Sequence, residues 1–589
     1  MAQTIPKQAP LRAETGLSNG HIASVLDEIA DLLEIEQANP FRIRAYRNAA
    51  RTVRGCAFAV SECLMTTGRL PKLPAIGDDL AGKIATISAT GSCPLLERLK
   101  QEVPSSLTEL MHLPAIGPAR ARQFFHELGI DSLSALQQAA DQHRLQTLRG
   151  IGAKLEQQIA TSLQEHLASS RRFLRPLALA AVQAIVDDLR QLDGVSQLEI
   201  AGSARRQRET VGDIDILVVA DDSRSVTRSL AGHADVARVL SEGNQRATVV
   251  LHDGLQVDVR VVSAPHVGAA LQYLTGSKAH GIALRRLAQS RGYKLNEYGL
   301  FDGSKAIAGA TEAGIYQALG LDPIPPELRE DQGEMAAAAT HRLPQLLNRA
   351  DLRGDLHVHS RASDGQHTIE QMVTAAQQRQ LRYIAITDHS QHLHIAHGLT
   401  VARLMRQLDA IDALNEQLTE FTVLTGIEVD ILPNGKLDLP DSALARLDVV
   451  IGAVHSALQL SRTEQTTRVL RAMESRHFTM LAHPSCRLLG ERGGCELDLD
   501  AVIQQARQRG CFLELNAQPQ RMDLSDHYCR LAKEAGVLVA INSDAHRTSD
   551  FAWLDSGVGY GRRAWLGKAD VLNCRALPEL RRLLQATRL

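Results

Sequence analysis

Between residues 354 and 546 the chain alternates seven short apolar runs with helix-length stretches, and that alternation constrains the fold more than any other feature. The runs are GDLHVHS, YIAITDHS, TVLTGIEVD, DVVIGAVHS, FTMLAHPS, CFLELNA and LVAINSDAH. Most are separated by segments such as IEQMVTAAQQRQ, VARLMRQLDAIDALNEQL and TTRVLRAMESRH. Alternating strands and helices imply parallel strands joined by crossover helices. A closed barrel of this kind places its site at the C-terminal ends of the strands. Six of the seven runs carry an imidazole or carboxylate there or one residue beyond; CFLELNA offers only Asn516.

Nine candidate metal ligands result: His357, His359, Asp364, His389, Glu428, His455, His483, Asp544 and His546. His357 and His359 are two apart, so they share one face of their strand. Any one of these histidines alone reads as a packed or surface imidazole. As a set they read as a metal site. With no Cys among them the donors suit Zn²⁺, Mn²⁺ or Fe²⁺, and the choice stays open. Two or more ions held close together generate a hydroxide and stabilise a leaving oxygen, the arrangement for phosphoester cleavage.

Residues 351–589 resemble the PHP domain, a metallohydrolase family related to polymerases and histidinol phosphatase. The resemblance implies a distorted (β/α)7 barrel with a trinuclear site. By it, His357, His359, Glu428 and Asp544 would hold one ion. Glu428, His455 and His483 would hold a second, and Asp364, His389 and His546 a third.

Composition narrows the class. A chain of 589 residues holds several domains. Its 44% apolar and 22% charged content is that of folded globular protein. The longest apolar candidate, PLALAAVQAIV, is too short to span a membrane and runs into Asp187 and Asp188. The leading MAQTIPKQAPLRAETG has no apolar signal core. Eight cysteines without a CxxC pair are expected to be reduced thiols in a cytoplasmic protein. A net charge of −2 means that nucleic acid would be held by local groups. Residues 321–350, a Pro cluster followed by charges and an Ala run, read as a linker.

One motif recurs: LPAIGDDLAGKI at 73–84, LPAIGPARARQF at 113–124 and LRGIGAKLEQQI at 148–159. Each is a Gly-bearing turn followed by an amphipathic helix. Unpaired amides at a helix N-terminus point at an anion, so a nucleic-acid phosphate can dock there. The motif resembles the helix-hairpin-helix, which grips the DNA backbone, with Gly77, Gly117, Gly150 and Gly152 in the turns. Ala75 and Ala115 stand where that family usually has its first glycine.

The second motif is AGSARRQRETVGDIDILVV, residues 201–219. Gly202 and Ser203 form a turn able to bring amides to a triphosphate. Asp213 and Asp215 are two apart in an apolar strand, so both carboxylates point to one face. Asp258 in LQVDVRVV is a third. Three carboxylates are what two Mg²⁺ ions need to bridge an attacking hydroxyl and a nucleotide's phosphates.

This stretch closely resembles the nucleotidyltransferase palm of the family X DNA polymerases, and YLTGSKAHGIALRRLA at 273–288 matches that family's next landmark. The resemblance implies that Tyr273, Thr275, Gly276 and Ser277 line the nucleotide pocket. Ser203, Arg206 and Arg172 would contact the triphosphate together with Gly202 and Gly212, and Arg285 the template strand. Two departures stand out. Gly281 replaces an asparagine that contacts the incoming nucleotide. In the segment resembling the family's lyase domain, Lys83 falls on the Schiff-base lysine, yet Asp79 and Arg42 replace lysines. A carboxylate beside an amine nucleophile opposes its activation. Lys83 therefore reads equally as a lyase nucleophile or a phosphate contact.

The expected architecture is multidomain: an α-helical helix-hairpin-helix region, an α/β palm and a C-terminal barrel. Its segments are 1–90 (lyase-like), 91–168 (two further hairpins), 169–262 (palm), 263–320 (nucleotide selection), 321–350 (linker) and 351–589 (PHP). The fusion resembles the bacterial family X polymerases. It implies a monomer acting at the nucleoid, filling short gaps with dNTPs on gapped or primed DNA in base excision repair. A metal-dependent 3′-5′ exonuclease or abasic endonuclease would accompany that activity. Two other readings stay open: a nucleotidyltransferase joined to a small-molecule phosphatase, and a non-catalytic DNA-binding scaffold.

Overall fold

The computed structural model describes residues 19–588 apart from 37, 57–59, 104–106, 112 and 114. The leading stretch read for a signal core (1–16) and residue 114 of the second hairpin lie outside the described residues. The chain divides into two compact units at Arg171/Arg172.

The first unit is helical. Helix Asn19–Ile35 buries Ile22, Leu26, Ile29 and Leu33 against Tyr46, Ala49 and Val53 of helix Pro40–Arg54. Each repeated motif forms a turn closed by the same hydrogen bond: Ile76 N to Leu73 O, Ile116 N to Leu113 O and Ile151 N to Leu148 O, at 3.3, 3.1 and 3.2 Å. Gly77 and Gly117 then cap helices Asp78–Thr90 and Pro118–Leu128, and Gly152 precedes helix Ala153–Ser170. Ala75, Ala115 and Gly150 all adopt left-handed φ, +60°, +71° and +85°. The two alanines accept the strain that glycine avoids.

The second unit holds the palm, a smaller helical and β-meander segment, and the barrel. The palm sheet runs Val195–Ile200, Asp213–Ala220, Gln256–Val262, Arg246–Leu251, Val236–Glu242, with only the second and third strands parallel. Ile214, Ile216 and Val218 alternate with the aspartates and are fully buried, as are Val257 and Val259 around Asp258. That alternation fixes which face carries the carboxylates.

The seven expected strands form one parallel sheet in sequence order: Gly354–Val358, Tyr383–Ile386, Thr422–Asp430, Val449–Ala453, Met480–Leu481, Phe512–Asn516 and Val539–Asn542. A parallel bridge between Val358 and Ala545 brings the last strand back to the first. The strands are buried on both faces, which explains their unbroken apolar composition. The segment 321–350 connects palm and barrel but is packed. Leu321, Ile324, Leu328 and Ala338 join the core of helices Val267–Thr275 and Lys278–Ser290, and Leu347 joins the barrel core. Among the described residues no helix is long and apolar enough to cross a membrane.

Candidate active sites

At the barrel's C-terminal edge the nine candidate ligands converge. Glu428 is the centre. Its Oε1 lies 2.8 Å from His483 Nε2 and 3.3 Å from His455 Nε2. Its Oε2 lies 2.9, 3.4 and 3.5 Å from His389, His357 and His359. His359 Nε2 also faces Asp544 Oδ1 at 3.2 Å. Asp364 Oδ2 faces His389 and His546 at 3.3 and 3.4 Å. Three donor groups can each hold an ion: His357, His359 and Asp544; His389, Glu428 and His455; and His359, Asp364, His389 and His546. His359 and His389 each belong to two groups, so the clusters are contiguous. Asp544 and His483 hold left-handed φ of +52° and +27°, backbone strain located at ligands.

The electrostatics fit cations. Burial raises Glu428's pKa, but the surrounding imidazoles outweigh it and hold the carboxyl well below its ordinary range. Burial opposes charge on His389 and His546, yet Glu428 and Asp364 push them up to about 10 and about 9. Burial, reinforced by neighbouring imidazoles, drives His359 down to about 4. Protons thus balance a charge that divalent cations can take over. The buried nitrogens His357 Nε2, His359 Nε2 and His455 Nε2 have no hydrogen-bond partner, as open ligand positions require.

The outer nitrogens are oriented by residues that escaped notice in the sequence. Glu514 accepts from His357 Nδ1 at 2.7 Å and from the His483 amide at 2.8 Å. Asp430 pairs with His455 Nδ1 at 3.0 Å. Such partners fix tautomer and ring direction. CFLELNA, credited with Asn516 alone, supplies Glu514 from the same strand face, two residues earlier.

In the palm, the parallel register sets Asp215 beside Asp258, with Asp213 on the same face. Asp258 accepts from Thr248 Oγ1 at 2.6 Å, Gln256 Nε2 at 2.7 Å and Arg246 Nη2 at 2.9 Å. Burial, then Asp213 and Asp258, push Asp215 up to about 7; burial and Asp258 also raise Asp213. Such crowded carboxylates are what Mg²⁺ relieves. Gly202 has φ +61°, and a Cβ there would stand 2.1 Å from Asp215 Oδ2. Only glycine lets the turn bearing Ser203 approach the carboxylate this closely.

The other expected nucleotide contacts are distributed as follows. Arg172 reaches Thr210 Oγ1 at 3.2 Å and flanks Gly212. Arg206 donates to Glu330 at 2.9 Å and to Thr275 O at 2.8 Å, so it must release Glu330 to meet a triphosphate. Tyr273 is 44% exposed, whereas Thr275 is fully buried and accepts from Arg205 at 2.9 Å. Gly276 packs on His280, Ser277 caps helix Lys278–Ser290, and Arg285 lies beside Gly281 on that helix. In the first unit, Lys83 pairs with Asp79. Burial lowers its pKa, but Asp79 and Tyr46 outweigh that and hold the ammonium above its ordinary value.

Family comparisons follow this division. Residues 18–93 match a helix-hairpin-helix domain and 107–165 a SAM-like helix-hairpin-helix tandem. Residues 177–283 match the DNA polymerase beta palm, 270–330 the DNA polymerase beta thumb and 355–544 the PHP domain. The DNA polymerase/3′-5′ exonuclease PolX of Bacillus subtilis (strain 168) is 35% identical over 96% of this chain and 99% of its own length. A probable phosphatase of Caldicellulosiruptor saccharolyticus is 30% identical over 35% of this chain and 84% of its own. Together the palm, the thumb, the barrel and the full-length similarity establish that the chain belongs to the family X DNA polymerases that carry a C-terminal PHP domain.

Proposed function

We propose that the protein is a DNA polymerase of short gaps in repair, base excision repair included, with a 3′-5′ exonuclease in its barrel. The supporting observation is the register that sets Asp215 beside Asp258 with Asp213 on the same face. Asp213, Asp215 and Asp258 would hold Mg²⁺, which would supply Lewis acidity for attack of a primer 3′-hydroxyl on the α-phosphorus of a dNTP with departure of pyrophosphate. Thr248, Gln256 and Arg246 hold Asp258 in place. The turn at Gly202 and Ser203, with Arg206 and Arg172, receives the triphosphate. Tyr273 and the following turn bound the sugar.

In the barrel the ligand cluster would hold Mn²⁺, Zn²⁺ or Fe²⁺, which would activate water for phosphodiester hydrolysis. The three donor groups would hold the ions, with His483 beside Glu428, which faces most of the imidazoles, while Glu514 and Asp430 keep the rings of His357 and His455 in their ligating tautomers. Gapped DNA and dNTPs are the partners, the hairpin turns bind phosphates, and the protein works as a cytoplasmic, nucleoid-associated monomer. The test is extension of a primer in a gapped duplex, with and without dNTPs, in Mg²⁺ and in Mn²⁺. Absence of template-directed addition rejects the polymerase; intact 3′ ends without dNTPs reject the exonuclease.

A further inference from the structure

The cavity over the barrel's metal-ligand cluster measures about 390 Å³, and its other walls include Leu393, Ile395, Gln518 and Arg521. Among the described lining residues Arg521 alone carries a permanent positive charge. Its Nε is buried without a hydrogen-bond partner and lies 3.3 Å from Asp544 Oδ2. The ligand-facing oxygen of Asp544 is Oδ1, toward His357 and His359, so the Oδ2 contact holds the partly exposed guanidinium at the cavity wall. Guanidinium is planar and presents paired N–H groups, a geometry matched to phosphate oxygens.

The loop that carries Arg521 is clamped by a neighbouring barrel loop that is itself tied to the palm. It turns through hydrogen bonds from Arg521 N and Met522 N to Gln518 O, both 2.9 Å. Arg487, in the loop after strand Met480–Leu481, donates from Nε to Arg521 O at 3.0 Å and from Nη2 to Met522 O. Arg487 in turn faces Glu209 Oε1 at 3.5 Å, and the Tyr560 hydroxyl donates to Glu209. Glu209 belongs to the palm, in the loop leading from Arg206 to strand Asp213–Ala220.

We propose that Arg521 binds a non-bridging oxygen of the phosphodiester entering the barrel cavity, and that Glu209 of the palm positions it through Arg487. The inference rests on the exonuclease reading and specifies its substrate recognition. Leu393 and Ile395 line the same cavity, Ile395 at 89% exposure, and offer apolar surface to a base or sugar. The fitting ligand is therefore a nucleoside-bearing phosphodiester, the 3′ end of a strand, and not bare inorganic phosphate.

The probe is the p-nitrophenyl ester of thymidine 5′-phosphate, hydrolysed by the full-length protein in Mn²⁺; being small, it bypasses DNA binding by the hairpins. R521Q is expected to raise KM about tenfold or more, the scale of one charged hydrogen bond, with kcat less affected and metal content unchanged by mass spectrometry. R521K should recover part of the loss. E209Q should raise KM about threefold in the wild-type background and add nothing to R521Q, as residues acting through one another do. A wild-type KM for R521Q, or a fall in kcat accompanied by metal loss, overturns the phosphate assignment. Full additivity of E209Q and R521Q overturns the positioning role. A wild-type protein that leaves the ester intact rejects the exonuclease reading itself.

Discussion

At the scale of single residues, two positions depart from the family pattern in ways that geometry makes testable. Gly281 lies on helix Lys278–Ser290, and a Cβ there would meet Arg285 Nη1 at 3.6 Å, an ordinary contact. His280 cannot replace the missing side chain, because it is buried between Glu334 at 2.7 Å and the Tyr316 hydroxyl at 3.0 Å. Gly281→Asn should therefore lower the apparent KM for dNTP, by about tenfold at most for one hydrogen bond of about 0.5–1.5 kcal/mol. Steady-state kinetics on a gapped primer decides; an unchanged or higher KM rejects the account. The palm aspartates give a sharper expectation. Asp213→Ala or Asp258→Ala should abolish extension and leave DNA binding by gel shift intact; extension at the wild-type rate would remove them from the active site.

At the scale of elements, the hairpins differ in chemistry although their turns share one hydrogen bond. The first places Asp78 and Asp79 where the second has Pro118 and Ala119 and the third Ala153 and Lys154. Carboxylates stabilise a helix N-terminus but repel phosphate. Asp79 also holds the Lys83 ammonium charged. Asp79→Asn should tighten binding to gapped DNA and lower the Lys83 pKa, so that borohydride traps more Schiff base on an abasic substrate at pH 7. Equal trapping by Asp79→Asn and wild type would leave Lys83 a phosphate contact. The strained turns carry their own test. Ala115→Gly relieves a left-handed alanine costing about 1–2 kcal/mol against about 0.4–1 kcal/mol of added unfolded-state entropy. A net gain of about 0.5 kcal/mol should appear in urea unfolding.

At the scale of the whole second unit, barrel and palm share buried charge. Arg563, 2% exposed, donates to Glu330 at 2.8 Å, to Asp526 at 2.9 Å and to Arg206 O at 2.8 Å. Arg562 pairs with Glu327 at 2.8 Å. Removing one partner of a buried pair costs about 3–5 kcal/mol. Arg563→Ala should accordingly shift the urea midpoint of palm and barrel together; a shift confined to one would mean that they unfold independently. The chemistries are nonetheless separable. His357→Ala or His359→Ala should remove nuclease activity and spare extension, and the nuclease should favour Mn²⁺ over Mg²⁺, since imidazole-rich shells suit Mn²⁺ better. Loss of both activities in either variant would point to a shared site.

What the sequence by itself determined was whatever depends on period and order. Strand alternation placed Asp213 with Asp215 and His357 with His359, and the repeated run-helix pattern led to the parallel barrel, because side-chain direction follows from local backbone geometry. The tertiary structure alone decided what depends on contacts between distant segments. Glu514 behind His357, Arg563 between Glu330 and Asp526, and Arg487 linking Glu209 to Arg521 join residues from 34 to 278 positions apart in different elements. No local period encodes such pairings. They arise when burial leaves charged groups with each other as their remaining partners.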